Sequence, residues 1–218
     1  MERLDAVSYR LLSSGDEREM LALLRSEKPR VFRLQGDRVY AALINDALAS
    51  RDLMIAVASR QGRLVGFSII AWNWSRLKLV FALRHPIVGL TIVLSMLRSR
   101  LLGRRVDEAL GSAARERFRS DAQISSTRVP NWADGGRRIA KLIHTAVVPE
   151  HRRQGIGLGL KAFYVDVLRA RGFRRVDARI DPANVASVAM QRSSGWVVVD
   201  DPRAVFAYLE LGDDSERG

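Results

Sequence analysis

Residues 146–157 read Ala-Val-Val-Pro-Glu-His-Arg-Arg-Gln-Gly-Ile-Gly, and no other stretch narrows the fold as much. Ahead of this stretch, Arg138 to Val148 is a β-rich run that Pro149 stops, because proline brings no N–H to a ladder. Behind it, Gly155 to Arg171 places Leu160, Phe163, Tyr164, Val167 and Leu168 on one helical face, closed by Gly172. Arg175 to Ile180 then alternates, with Val176, Ala178 and Ile180 inward, as a strand does. Strand, loop, helix and strand in succession make this part of the chain α/β.

The loop is an anion cradle by elementary chemistry. The first N–H groups of a helix have no intrahelical acceptor, and the aligned peptide dipoles put partial positive charge there. Gly155 and Gly157 let backbone approach a phosphate with no Cβ in the way, and Arg152 and Arg153 add charge at the rim. A pyrophosphate fits such a place. The same glycines, with Gly159, would equally allow tight helix–strand packing beside solvated arginines, and the loop alone does not choose.

Elsewhere the pattern supplies the remaining elements. Ser8 to Leu12 is a short strand, Gly15-Asp16 starts a helix carrying Met20, Leu21, Leu23 and Leu24, and Tyr40, Leu43, Ile44 and Ala47 mark a second helix. Leu53 to Ser59 and Leu64 to Trp72 are hairpin arms around Arg60-Gln61-Gly62. Ser75 to Leu102 reads as helix interrupted at His85-Pro86, Ala109 to Phe118 as helix, and Ser120 to Gly136 as loop. Asn184 is an N-cap for a helix running to Ser194, Trp196 to Val199 and Ala204 to Leu211 are strands, and an acidic tail follows Gly212. The expectation is one mixed α/β domain over residues 1–218, with a helical insertion at about 73–136 after the third strand.

Composition narrows the chemistry. With 47% apolar residues in 218 there is material for one packed core, and the lack of cysteine excludes disulfides, thiolate zinc sites and a cysteine nucleophile. His85, His144 and His151 are never i, i+4, so no metal is expected. The net charge is +12, and Ser75 to Arg138 holds thirteen basic against five acidic residues. A basic surface suits a phosphorylated cofactor, an anionic substrate, a lipid head group or nucleic acid, or is simply a solvated face. Nucleic acid comes last, since no helix carries a continuous basic face with interleaved aromatics. The first twenty residues hold no apolar signal core. The longest apolar run, Pro86 to Leu97, falls short of the ~20 residues of a spanning helix. A cytoplasmic protein is expected.

The segment Arg152-x-x-Gly155-x-Gly157, after a strand ending Ala146-Val147-x-Pro149-Glu150, resembles the acyl-CoA-binding motif of the GNAT superfamily of N-acetyltransferases, Arg/Gln-x-x-Gly-x-Gly/Ala. Asn184-x-x-Ser187 and Ser194-Gly195-Trp196 extend the resemblance, which is specific over Lys141 to Trp196. It implies a centrally splayed mixed sheet flanked by helices and transfer of an acetyl or short acyl group from acetyl-CoA to a primary amine, by direct attack in a ternary complex. It implies that backbone groups of Thr145, Ala146 and Val147 hold the pantetheine arm. The diphosphate then falls to Arg152, Arg153, Gln154, Gly155, Ile156, Gly157 and Leu158, and Asn184 bonds the cofactor arm besides capping its helix.

The chain also departs from the family pattern. A tyrosine that often follows the asparagine by seven residues, and protonates the leaving thiolate, is Gln191 here; glutamine donates a hydrogen bond but does not titrate. No catalytic base is assigned. In phase with Val147 the strand offers Lys141, Ile143 and Thr145, none a carboxylate. Asp177 is expected in a surface ion pair, His144 facing the core, His151 exposed, and Tyr164, Tyr208 and Glu210 structural. The acceptor is expected to be a small molecule or peptide amine, anionic or lipid-linked. Leu77 to Leu102 is expected to form a lid or wall for it, or to dock on a membrane or in a homodimer. The alternative reading is a CoA-binding regulatory protein without catalysis. A dinucleotide oxidoreductase fails because the third glycine position is Leu160.

Overall fold

The computed structural model describes residues 6–27, 29, 36–49, 52–72, 77, 84, 86, 90, 139–201 and 204–212. The strands are β1 (Ser8–Leu11), β2 (Leu53–Arg60), β3 (Arg63–Trp72), β4 (Ile139–Val147), β5 (Arg175–Ile180), β6 (Val197–Asp201) and β7 (Ala204–Glu210). The helices are α1 (Glu17–Glu27), α2 (Asp37–Ala49), α3 (Ile156–Ala170) and α4 (Val185–Ser193), with a 3-10 turn at Pro149–His151. These match the elements read from the sequence to within one or two residues. The expected helix at Ala109 to Phe118, the loop at Ser120 to Gly136 and the acidic tail lie outside the described residues. Within the insertion, Leu77, Arg84, Pro86 and Leu90 are helical. Among the described residues no helix is long and apolar enough to cross a membrane.

The strands form one sheet in the order β1-β2-β3-β4-β5-β7-β6. Only β4 and β5 run parallel, joined by the α3 crossover; every other neighbouring pair is antiparallel. Both faces are covered, which is why β2 and β3 read as continuous apolar runs. On one face Met20 and Leu24 of α1 and Leu43 and Ile44 of α2 pack on Ile55, Val57, Phe67 and Ile69, with Leu77 from the insertion in the same cluster. On the other, Leu160, Tyr164 and Leu168 of α3 pack on Met54, Ala56, Ile70, Val176 and Ala178. The α3 helix ends as expected: Gly172 takes φ 74°, Gly172 N–H bonds Arg169 O at 2.8 Å, and Phe173 N–H bonds Leu168 O at 3.0 Å.

A bulge in β4 corrects one expectation. Ile69 pairs with His144 but Ile70 pairs with Leu142, so Ile143 is an extra residue. Strict alternation from Val147 therefore fails beyond Thr145. Ala140 and Leu142, not Lys141 and Ile143, share the α3 face with Thr145 and Val147, while Ile143 packs with the α1–α2 cluster.

Candidate functional site

The sheet opens at its middle. β4 and β5 pair from Ile139–Arg175 to Leu142–Ala178 and no further, so residues 143–147 lack a neighbour on the β5 side. Val148 N–H donates to Val65 O of β3 at 2.9 Å. Alternation then turns the N–H groups of Thr145 and Val147 away from β3, into the wedge between β4 and β5. Thr145 also bonds Ser68 through its hydroxyl, at 2.9 Å, which fixes its side chain. Ala146 is buried against the α1–α2 cluster. Thr145, Ala146 and Val147 thus lie on the stretch of β4 that has no pairing on the β5 side.

At the foot of the wedge, the chain turns through Pro149–His151 into α3. Arg153 and Gly155 both take positive φ, 61° and 78°, and Gly155 occupies the N-cap position with no side chain to bond the helix amides. His151 and Arg152 N–H groups bond Val148 O and Pro149 O, and Gly159 N–H bonds Gly155 O. The backbone N–H groups from Arg153 to Leu158 have no acceptor among the described residues. Cβ atoms built on the glycines separate their roles. At Gly159 a Cβ would overlap the Tyr9 phenol, so that glycine serves packing; at Gly157 it would meet only Met190 Sδ at 3.6 Å, so the space there is open.

The side chains divide similarly. Arg152 is engaged within the protein: Nε donates to Val147 O at 2.8 Å, and the guanidinium meets Glu27 at the end of α1 at 3.2 Å. Gln154 donates to Glu150 O at 3.2 Å and accepts from Arg60 at 3.1 Å. Arg153 is exposed and without a partner among the described residues. Ile156 is buried under the first turn of α3 and Leu158 is exposed beside it. Asn184 caps α4, its Oδ1 accepting Ser187 N–H at 3.1 Å. Its carboxamide N–H groups make no bond among the described residues.

Sequence reasoning passed over Lys161. It is only 6% exposed, and its Nζ donates to Gln191 Oε1 at 3.0 Å, to Ser194 O at 3.4 Å and to the Ser194 hydroxyl, and stands 4.6 Å from the centre of the Trp196 ring. Burial pulls its pKa down to about 8. The signal was a charged residue between Leu160 and Tyr164 on the inner side of an amphipathic helix; its partners, some thirty residues away, carry no local mark.

The candidate bases fall as follows. His144 shares the α1–α2 face with Phe67, the rings 5.7 Å apart. It is half-buried, has no hydrogen-bond partner among the described residues, and burial lowers its pKa. Asp177 does pair with Arg175, Nε to Oδ1 at 2.8 Å, but at 1% exposure it is a buried ion pair, not the surface pair expected. Burial raises its pKa, against the pull of Arg175 and Lys141. Tyr164 is buried in the core with its pKa raised, and Tyr208 lies opposite Asp177 with the Arg175 guanidinium over its ring. Glu210 ends β7, opposite Arg175. His151 is half-buried, with Nδ1 sealed and unpaired, where exposure was expected.

Solved structures share this fold. An acetyltransferase of the GNAT family from Desulfovibrio desulfuricans superposes with TM-score 0.56 at 14% identity, over 95% of this chain and 100% of that one. The paia N-acetyltransferase of Thermoplasma acidophilum, solved with coenzyme A, gives 0.53 at 11% identity, over 94% and 99%. The yncA protein of Salmonella typhimurium, solved with acetyl-CoA, gives 0.53 at 16%, over 96% of each chain. No curated protein matches the chain by sequence. The sequence profile of the acetyltransferase (GNAT) family matches residues 18–196, most of the length, and the chain belongs to that family.

Proposed function

We propose that this acetyltransferase-family chain binds acetyl-CoA in the β4–β5 wedge and transfers its acetyl, or a short acyl, group to a primary amine by direct attack in a ternary complex. The observation that carries this is the unbroken run of amides from Arg153 to Leu158, at the foot of the wedge, that have no acceptor among the described residues. Those amides suit a diphosphate, with Arg153 adding charge and Gly157 leaving room. Arg152 braces the end of β4, and the N–H groups of Thr145 and Val147 meet the pantetheine arm as an added strand would. The Val147 N–H polarises the thioester carbonyl. Asn184 reaches the arm with its free carboxamide N–H groups while capping α4. The thioester supplies the activated acyl carbon; the amine nitrogen bonds that carbon, the C–S bond breaks and the sulfur leaves with the electron pair. We assign the amine proton to His144, the unpaired imidazole next to Thr145, which its lowered pKa keeps neutral at pH 7.

The acceptor side is the α1–α2 face, where the basic insertion is anchored, and that charge favours an anionic small-molecule or peptide amine. Calorimetric titration with acetyl-CoA tests the cradle. Arg153→Glu reverses the exposed charge and is expected to weaken binding by about tenfold or more. Thiol release over a panel of amines then tests transfer. The non-titrating Gln191 favours the second reading, a regulatory CoA binder, which would bind without releasing thiol.

A further inference from the structure

Lys161 meets the C-cap of α4 at Ser194, where the helix dipole favours a cation, yet the cradle itself does not need a charge there. An apolar side chain would fill that place on α3 without the cost of desolvating an ammonium. Among the described residues no carboxylate compensates it. The groups facing Nζ are Gln191 Oε1 and the Ser194 hydroxyl and carbonyl on α4, and the Trp196 ring. Arg192 and Asp200, the charged residues at that end of α4 and on β6, bond each other at 2.5 Å. Burial is the sole cause of the lowered pKa, and a value of about 8 still leaves Lys161 mostly charged at pH 7.

Gln191 shows what the charge acts on. Its carbonyl oxygen is taken by Lys161, which turns the carboxamide N–H groups the other way. Gln191 is 1% exposed, yet its nitrogen has no partner among the described residues and is not among the sealed buried atoms. Two N–H donors of a nearly buried side chain are thus left without an acceptor among the described residues. They lie on the side of the wedge, because α3 follows the end of β4 and α4 follows the end of β5. The first turn of α3 reaches α4 at Met190, beside Gln191, and Lys161 lies one turn further along.

We infer that Lys161, acting through the Gln191 carboxamide, is a positioning residue for the sulfur that leaves the acyl-CoA: it fixes two N–H donors towards that sulfur and sets a positive charge behind them. The inference rests on the acyltransferase reading and deepens it. When the amine bonds the acyl carbon and the C–S bond breaks, sulfur carries off the electron pair. Gln191 has no proton to give, so the product is held as a thiolate until it takes a proton from solvent. A cation on the far side of one carboxamide lowers an acidic pKa by less than a direct neighbour does, here by about one unit.

The test is the titration of CoA bound to the full chain, followed by the ultraviolet absorbance of its thiolate. The bound thiol is expected to titrate about one unit below free CoA. In Lys161→Met it should return close to the free value with affinity for acetyl-CoA retained, while the melting temperature falls because Gln191 Oε1 loses its buried partner. Gln191→Leu, which leaves Lys161 in place, should shift the thiol in the same direction and keeps the test open should Lys161→Met not fold. Equal thiol titration in wild type and both variants overturns the inference alone. Failure of wild type to bind CoA overturns the acyltransferase reading with it.

Discussion

Gly157 and Gly159 lie two residues apart on α3 and face different things. A methyl at Gly159 runs into the Tyr9 phenol of β1, whereas at Gly157 it reaches only Met190 Sδ, at an ordinary 3.6 Å. Gly159→Ala should therefore destabilise the protein by about 1–3 kcal/mol through overpacking. Gly157→Ala should melt at or slightly above the wild-type temperature, since alanine favours helix by about 1 kcal/mol over glycine. On the proposed reading it should nevertheless weaken acetyl-CoA binding, because the methyl would stand where backbone is to meet the diphosphate. Thermal melts and calorimetry on the two variants separate the packing glycine from the binding one, a distinction that the spacing Gly-x-Gly-x-Gly does not carry. The sequence shows which residues are small; which neighbour they make room for depends on β1, about a hundred and fifty positions earlier.

At the scale of the element, β4 decides which side chains meet the wedge. Its ends and its stop at Pro149 were legible, because β-branched runs and proline act locally. The bulge at Ile143 was not, since it exists only in the register with β3, and one extra residue moves every earlier side chain to the opposite face. His144 lies on the near side of that bulge, so alternation from Val147 alone places it beside Phe67 on the α1–α2 face, near the first residues of β4 that lack a β5 partner. Burial disfavours the imidazolium, so the folded pKa lies below 6.5 and the ring is neutral at pH 7. A rate that needs the neutral ring falls as pH drops through that lowered value. His144→Gln should remove this acid limb from the pH profile of kcat/KM and lower the plateau by about 10²-fold. Stability moves in parallel. The unfolded chain binds the proton more readily, so wild-type stability falls as pH drops below about 6.5, and His144→Gln lacks that loss. Profiles of unchanged shape in wild type and variant would leave the proton to water.

Across the whole molecule, the cradle, the wedge and the α3–α4 polar cluster are all built from residues 139–201, braced by Glu27 from α1 and Ser68 from β3. The parts that matched the family pattern are these, because diphosphate binding needs a local arrangement of amides that a short motif can specify. The acceptor side has no such constraint, and there the sequence offered only charge. The insertion leaves β3 after Trp72 and returns at Ile139, and Trp72 pairs with Ala140, so its two ends are neighbours in the sheet. Its described anchors are Leu77, 1% exposed in the α1–α2 core, and Arg84, whose guanidinium meets the buried Asp46 of α2 at 2.9 Å. Both put the root of the insertion on the face to which His144 points. Removing Leu77 would cost about 2–5 kcal/mol of core packing, so a deletion that tests function must begin beyond the anchors. Replacing residues 91–136 with a flexible glycine–serine linker keeps Leu77 and Arg84 in place. Acetyl-CoA affinity is then expected to stay within about threefold of wild type, since no residue of the cradle or its braces is touched. Turnover of the acceptor should fall more than about tenfold if the insertion forms the wall against which the amine is held, because positioning governs the attack. Calorimetry against thiol release on one protein separates the two, and full turnover after the replacement would move the acceptor site off the insertion.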